Sequence, residues 1–131
     1  IGSLSERYVE ASGSKPDLAV YNAFTDELVC FVEVTGANMK VGEGTANIFI
    51  TFDKYSKYSV YAGKIPIYFI YLGFQKGKLK IAKWLDYNTL KYFAKNTITR
   101  KIRGVEEVFI VTPNSVWRPL KELYYELTGV R

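Results

Sequence analysis

Pro16-Asp17-Leu18-Ala19-Val20-Tyr21-Asn22, then Ala23-Phe24-Thr25-Asp26-Glu27, then Leu28-Val29-Cys30-Phe31-Val32-Glu33-Val34-Thr35 is the stretch on which the fold turns. Its outer segments are rich in β-branched and aromatic residues, and its middle carries polar turn formers. It therefore predicts an antiparallel β-hairpin over 17–35. In such a hairpin the end of the second strand lies beside the start of the first. Glu33 and Thr35 are two apart and share a face, so Asp17 and Glu33 are expected to converge at a sheet edge. An acid inside an apolar strand is costly unless it is paired or metal-bound. Asp17 alone, following a proline at a strand start, reads first as a turn residue. Cys30, the single cysteine, lies in the apolar run and reads as a buried, inert thiol.

Downstream of the hairpin, Gly36 to Gly44 reads as a glycine-rich loop. Ala46 to Ala62 reads as a helix, with Ile48, Phe52, Tyr55 and Ser59 along one stripe and Gly63 as its stop. The near-continuous apolar run 65–74 suits a central strand covered on both faces. Because it follows a helix, it is expected to lie parallel to a hairpin strand. Gln75-Lys76-Gly77-Lys78 is a turn. Leu79–Trp84 is a strand with Lys78 and Lys80 on one face and Leu79 and Ile81 on the other. Asp86 caps a helix over Tyr87–Lys95. Val105–Thr112 is a strand ended by Pro113, and Pro119–Thr128 a helix closed by Gly129. Upstream, Glu6 to Ser12 reads as a strand, while Ser3 and Glu6 fit a capping box that keeps a helix open. The expected fold class is α/β (α+β), with a mixed β-sheet flanked by helices.

The chain has 131 residues and 48% apolar content, enough for one domain with its own core. It starts at Ile1 rather than Met, so a processed product or a fragment of a longer protein is expected. No apolar run reaches the roughly 18 residues of a membrane span, and no signal peptide is visible. An intracellular, cytoplasmic protein without membrane contact is expected. The chain has no histidine, which excludes His-based metal sites, Ser-His-Asp triads and Cys-His dyads. Catalysis is left to carboxylates, lysines, tyrosines or a metal.

Charge is unevenly spread. Residues 1–53 carry eight acids and three bases, a net of −5, and residues 76–103 carry nine bases against Asp86, a net of +8. One part suits a cation and the other a polyanion, although a solvated lysine-rich surface would read the same way. Lys76, Lys78, Lys80, Arg100, Lys101 and Arg103 are the candidate phosphate contacts. Two oxygen-bearing acids, a backbone carbonyl such as that of Val34, and waters suit Mg²⁺ (or Mn²⁺). Such a metal can activate water and offset charge on a phosphate.

Lys15-Pro16-Asp17, the hairpin, Glu33-x-Thr35, a Gly-rich loop and a helix together resemble the PD-(D/E)xK nuclease superfamily. Arg7 to Asn22, with Ser12-Gly13-Ser14 before the aspartate, is similar to its archaeal Holliday-junction resolvase branch. Asp53-Lys54-Tyr55 through Tyr61-Ala62, and then Ile65-Pro66-Ile67-Tyr68-Phe69, extend the likeness over roughly residues 7–74. The resemblance implies a restriction-endonuclease-like core spanning 1–131. It implies a Mg²⁺-dependent endonuclease or resolvase acting on DNA, a homodimer, and Asp17 and Glu33 as catalytic metal ligands. Two positions depart from the pattern. Thr35 stands where the second motif ends in lysine; Lys54 is the candidate replacement, with Lys57 and Lys40 behind it. The family's opening helix, which often supplies a further acid, either lies before Ile1 or carries Glu6 and Glu10. RNA as substrate stays open, and so does a catalytically silent nucleic-acid-binding or interaction module.

Overall fold

The structure is a computed structural model and describes residues 4–8, 16–40 and 46–129, the first of these as backbone. A six-stranded sheet runs in the order β1 (Leu4–Tyr8), β2 (Leu18–Asn22), β3 (Leu28–Asn38), β5 (Ile67–Gln75), β6 (Lys78–Asp86), β9 (Arg118–Pro119). A second, three-stranded sheet has the order β4 (Asn47–Thr51), β8 (Val105–Pro113), β7 (Thr97–Ile102). The helices are α1 (Phe52–Ser56), α2 (Tyr87–Phe93) and α3 (Lys121–Thr128). The architecture is a mixed α/β one of the α+β kind.

The expected hairpin is present: β2 and β3 pair antiparallel, with Leu18 opposite Val32. Its turn is closed by the Asn22 side chain, whose Oδ1 accepts from the Phe24 and Thr25 amides at 2.9 and 3.1 Å. Asp26 takes a left-handed conformation there (φ 61°), which a short polar side chain tolerates. β5 lies parallel to β3, from Phe31 opposite Ile67 to Asn38 opposite Phe74. It sits between β3 and β6, the central position expected of its apolar run. The Gln75–Lys78 turn, the Asp86 cap on α2 and the Gly129 stop on α3 are where the sequence puts them. Asp86 Oδ2 accepts from the Thr89 amide at 3.1 Å, and Gly129 is left-handed (φ 72°).

Three expectations are corrected, and one strand appears where none was expected. The helix over 46–62 is a strand, a five-residue helix and a 3-10 turn (Ser59–Tyr61) in succession. Asn-Ile-Phe-Ile-Thr alternates with period two and is β-branched, and it pairs with β8, burying Ile48 and Ile50. Cross-strand pairing therefore overrides the four-residue stripe. The glycine-rich loop begins late, because β3 continues through Gly36 to Asn38; residues 41–45 lie outside the described residues. Thr97–Ile102 is a strand that its basic side chains disguised. In β6 a bulge interrupts the ladder, since Phe74 faces Leu79 while Gly73 faces Ile81, leaving Lys80 unpaired. The alternation expected there fails, and Leu79 is 52% exposed.

Of the expected upstream strand, Glu6 to Tyr8 is seen in β1, paired antiparallel to β2. Residues 9–15 lie outside the described residues. The main core joins both sheets: Phe69, Tyr71 and Leu85 from one meet Ile48, Ile50 and Ile110 from the other, with Tyr58 and Leu90 between. On the opposite face of the large sheet, Val20, Cys30 and Val32 pack with Tyr68, Ile70 and Leu127 of α3. β3 is therefore covered on both sides, and its odd-numbered residues from Phe31 onward face the main core.

Candidate active site

Every residue of the site stands on β3, on the segment 52–58 or, for Asp17, immediately before β2. Continuing the β2–β3 register by one residue sets Asp17 opposite Glu33. Asp17 Oδ2 accepts the Val34 backbone N–H at 2.9 Å, so the side chain ties the start of β2 to the middle of β3. Glu33 is 2% exposed. A buried carboxylate requires partners, and Glu33 has two at one oxygen. The Tyr58 hydroxyl donates to Oε1 at 2.5 Å, and Lys57 Nζ lies 2.9 Å from the same atom.

These partners come from one local device. Lys54, Lys57 and Tyr58 are three and four residues apart at the end of α1, so a single helical face presents all three to the face of β3 that carries Phe31, Glu33 and Thr35. Phe52 and Tyr55 pack against the main core, and Tyr61 meets Phe31 edge-on at 4.9 Å. Those contacts anchor the segment so that its polar residues reach β3. Tyr58 is fully buried and packs edge-to-face on Phe69 at 5.6 Å. Burial pushes its phenol well above the ordinary tyrosine range. The hydrogen bond to Glu33, and then the negative charges of Glu33 and Asp17, push the same way. The phenol therefore stays a donor, and it feels both carboxylates.

Lys54 reaches the site. Its Nζ donates to the Thr35 hydroxyl at 3.1 Å and to the Val34 carbonyl at 3.2 Å. Of the two reserve lysines, Lys57 is on Glu33. Lys40 is exposed, and its carbonyl accepts from Gln75 Nε2 at 3.2 Å. Among the described residues no group of three or more His, Cys, Asp or Glu side chains gathers. The further acid expected from an opening helix is not built that way at Glu6, which is on β1; Glu10 lies outside the described residues. Sequence reasoning did not single out Tyr58. Its signal was present in the four-residue spacing from Lys54, once the helix was known to face β3.

The candidate phosphate contacts fall on two hairpins in different sheets. Lys76, Lys78 and Lys80 are at the β5–β6 turn; Arg100, Lys101 and Arg103 are on the β7–β8 hairpin. Lys76 lies five residues beyond Tyr71, the residue opposite Thr35, or roughly 17 Å along an extended strand. On the other hairpin Arg100 is opposite Glu107 and Lys101 opposite Glu106. The basic character read over 76–103 is thus partly offset by two acids just past that window.

No protein-family model matches the chain, and no curated protein matches it. Among solved structures, the fold is similar to that of a nuclease from a fusselovirus. The TM-score is 0.58 at 20% sequence identity, over 96% of this chain and 76% of that chain. At that identity the likeness is one of fold: this chain has a nuclease-like α+β architecture.

Proposed function

We propose that the chain is a metal-dependent nuclease that cleaves DNA phosphodiester bonds by hydrolysis, with Asp17, Glu33 and Lys54 as its catalytic residues. The observation that carries this reading is the Lys54 ammonium on the Thr35 hydroxyl. Position 35 is where the resembled motif ends in lysine, and a lysine from the neighbouring helix delivers the missing charge to it. The nuclease fold of the structural neighbour supports the same reading.

The donor set fits a hard divalent cation. Asp17, Glu33 and the Val34 carbonyl offer only oxygen. Two of those groups already face ammonium nitrogens, Lys57 on Glu33 and Lys54 on Val34. Mg²⁺ (or Mn²⁺) held there would supply a water of lowered pKa and neutralise charge on the phosphate. The chain's own residues do the rest. Tyr58 and Lys57 fix the Glu33 carboxylate from the buried side. The Val34 amide fixes that of Asp17. Lys54 donates to a non-bridging phosphate oxygen as water attacks phosphorus and the ester bond breaks. Lys76, Lys78, Lys80, Arg100, Lys101 and Arg103 hold phosphates away from the scissile one.

Calorimetric titration of Mn²⁺ into the full chain, beside cleavage of labelled DNA and RNA with and without chelator, tests the proposal. Expected are one Mn²⁺ site lost in Asp17→Asn, and DNA cleavage that chelator stops. Mn²⁺ binding without cleavage of either polymer would leave the silent nucleic-acid-binding module instead.

A further inference from the structure

The β5–β6 hairpin ends in a tip of fixed shape. Lys76 and Gly77 both have positive φ, 51° and 75°, and Gln75 stands opposite Lys78. That is a two-residue turn whose twist matches its strands. One step further in, Leu79 is opposite Phe74, and Lys80 is bulged out of the ladder. Leu79 is 52% exposed, and Lys76, Lys78 and Lys80 around it are exposed as well. Lys40, a lysine the proposed chemistry does not use, is fastened beside them. The Met39 amide donates to the Phe74 carbonyl at 2.7 Å, and Gln75 Nε2 donates to the Lys40 carbonyl at 3.2 Å. Among the described residues no carboxylate forms an ion pair with Lys40, Lys76, Lys78 or Lys80. A lone exposed leucine is ordinary on a protein surface. Lysines along an open stretch of strand also guard against edge pairing, and β9 covers β6 only at Lys83 and Trp84. Edge protection accounts for the charge, but an exposed leucine in its midst works against it.

We propose that this tip is a wedge for duplex DNA: Leu79 inserts between two base pairs while the surrounding lysines hold the flanking phosphates. The ligand rests on the nuclease reading above, and the action rests on the tip itself. Apolar side chains are what proteins use to part a base step, and unstacking costs free energy. Cations around the wedge offset that cost through phosphate contacts. Single strands are held by aromatic stacking, and none of residues 76–80 is aromatic, so a stacked duplex is the better match. Position sets a register with the acid site. Thr35 is opposite Tyr71, and Tyr71 is three residues from Phe74, the partner of Leu79. That offset along the sheet, with two strand spacings across it, puts Leu79 about 14 Å from Thr35. At a duplex rise of roughly 3.4 Å this is about four base pairs. The substrate class is then duplex DNA with a flexible pyrimidine–purine step, such as TA, at about that distance from the cleaved bond, since such steps part at least cost.

Binding of the full chain in chelator to a duplex with one central TA step tests this without cleavage. The adenine of that step is replaced by a fluorescent analogue that brightens on unstacking. The wild type is expected to brighten it, and to brighten the same analogue less in a stiff A-tract. Leu79→Ser should lose the brightening and keep the salt dependence of binding, while Leu79→Met, still apolar, should retain both. Lys78→Gln should lower the salt slope by about one and still brighten at saturation. Brightening undiminished in Leu79→Ser, a wild type that binds without brightening, or a wild type that does not bind duplex would overturn the wedge. In Mg²⁺, cuts are expected about four base pairs from the TA step, and cuts spread evenly along the duplex would overturn the register. Brightening lost in Leu79→Ser, with no cleavage by the wild type, would uphold the wedge and remove the nuclease reading instead.

Discussion

On the proposed reading, the charge missing at position 35 comes from a different part of the chain. Thr35 cannot carry charge, but its hydroxyl accepts from an ammonium, and Lys54 provides one at 3.1 Å. Lys54→Ala is expected to lower the single-turnover cleavage rate at saturating DNA by about 10²–10³, the range for losing one preorganised donor. DNA affinity should change little. A defect confined to affinity would place Lys54 among the phosphate contacts. Lys57 and Tyr58 predict a different signature, because they hold a buried carboxylate. Lys57→Ala leaves Glu33 buried without its countercharge and is expected to cost about 3–5 kcal/mol in urea unfolding. Tyr58→Phe removes one hydrogen bond to a charged group, at about 1.5–3 kcal/mol. A loss below about 0.5 kcal/mol for either would mean that Glu33 is not held as described. The same geometry constrains how the acids are probed. Alanine at 17 or 33 deletes hydrogen bonds as well as the proposed ligands, so Asp17→Asn and Glu33→Gln are the cleaner substitutions.

At the scale of elements, the segments that carry the site were legible where one period acted alone. The 17–35 hairpin, the β5 run, the turn at Lys76-Gly77 and the Asp86 cap follow from alternation, apolar length and turn chemistry. Residues 46–62 were misread because Ile48, Phe52, Tyr55 and Ser59 satisfy a helical stripe, while Ile48 and Ile50 satisfy a strand. Only the partner strand β8, more than fifty residues away, decides between them. β7 was hidden because a solvated edge strand needs no apolar alternation. Asp17 and Glu33 could be brought together from the hairpin alone. Tyr58 could not, since its role depends on which way a five-residue helix faces. One close approach makes an element-scale prediction. A Cβ on Gly73, in β5, would lie 2.6 Å from Met39 Sδ, just past the end of β3. Gly73→Ala is expected to destabilise by about 1–3 kcal/mol. Met39→Val should relieve part of that cost in the double variant, and additive losses would show that the two do not compete for space.

Across the whole molecule, buried titratable groups set the alkaline limit of the fold. Burial raises the Cys30 thiol from 9.0 to about 12. Burial, with the hydrogen bond and charge of Tyr55, raises Tyr87 from 10.0 to about 12. Tyr58 and Tyr68 are raised as well, again mainly by burial. A folded-state pKa above the unfolded value means that the folded chain holds the proton more tightly. These contributions are present in full below pH 9 and are lost as the unfolded chain deprotonates between about pH 9 and 12. Urea midpoints should be flat near neutrality on this account and fall through that window. Tyr58→Phe should flatten the fall, and an unchanged slope would remove Tyr58 from it.

The molecule as a whole joins a nuclease-like fold to a paired acid site with a lysine delivered from the next helix. The most direct measurement is single-turnover cleavage of end-labelled DNA by the full chain in Mg²⁺. Wild type, Asp17→Asn, Glu33→Gln and Lys54→Ala are compared at equal folded concentration. The expected result is Mg²⁺-dependent cleavage by the wild type, none above background in either acid variant, and a slowed rate at unchanged affinity in Lys54→Ala. Wild-type cleavage that persists undiminished in both Asp17→Asn and Glu33→Gln would contradict the assignment of the site.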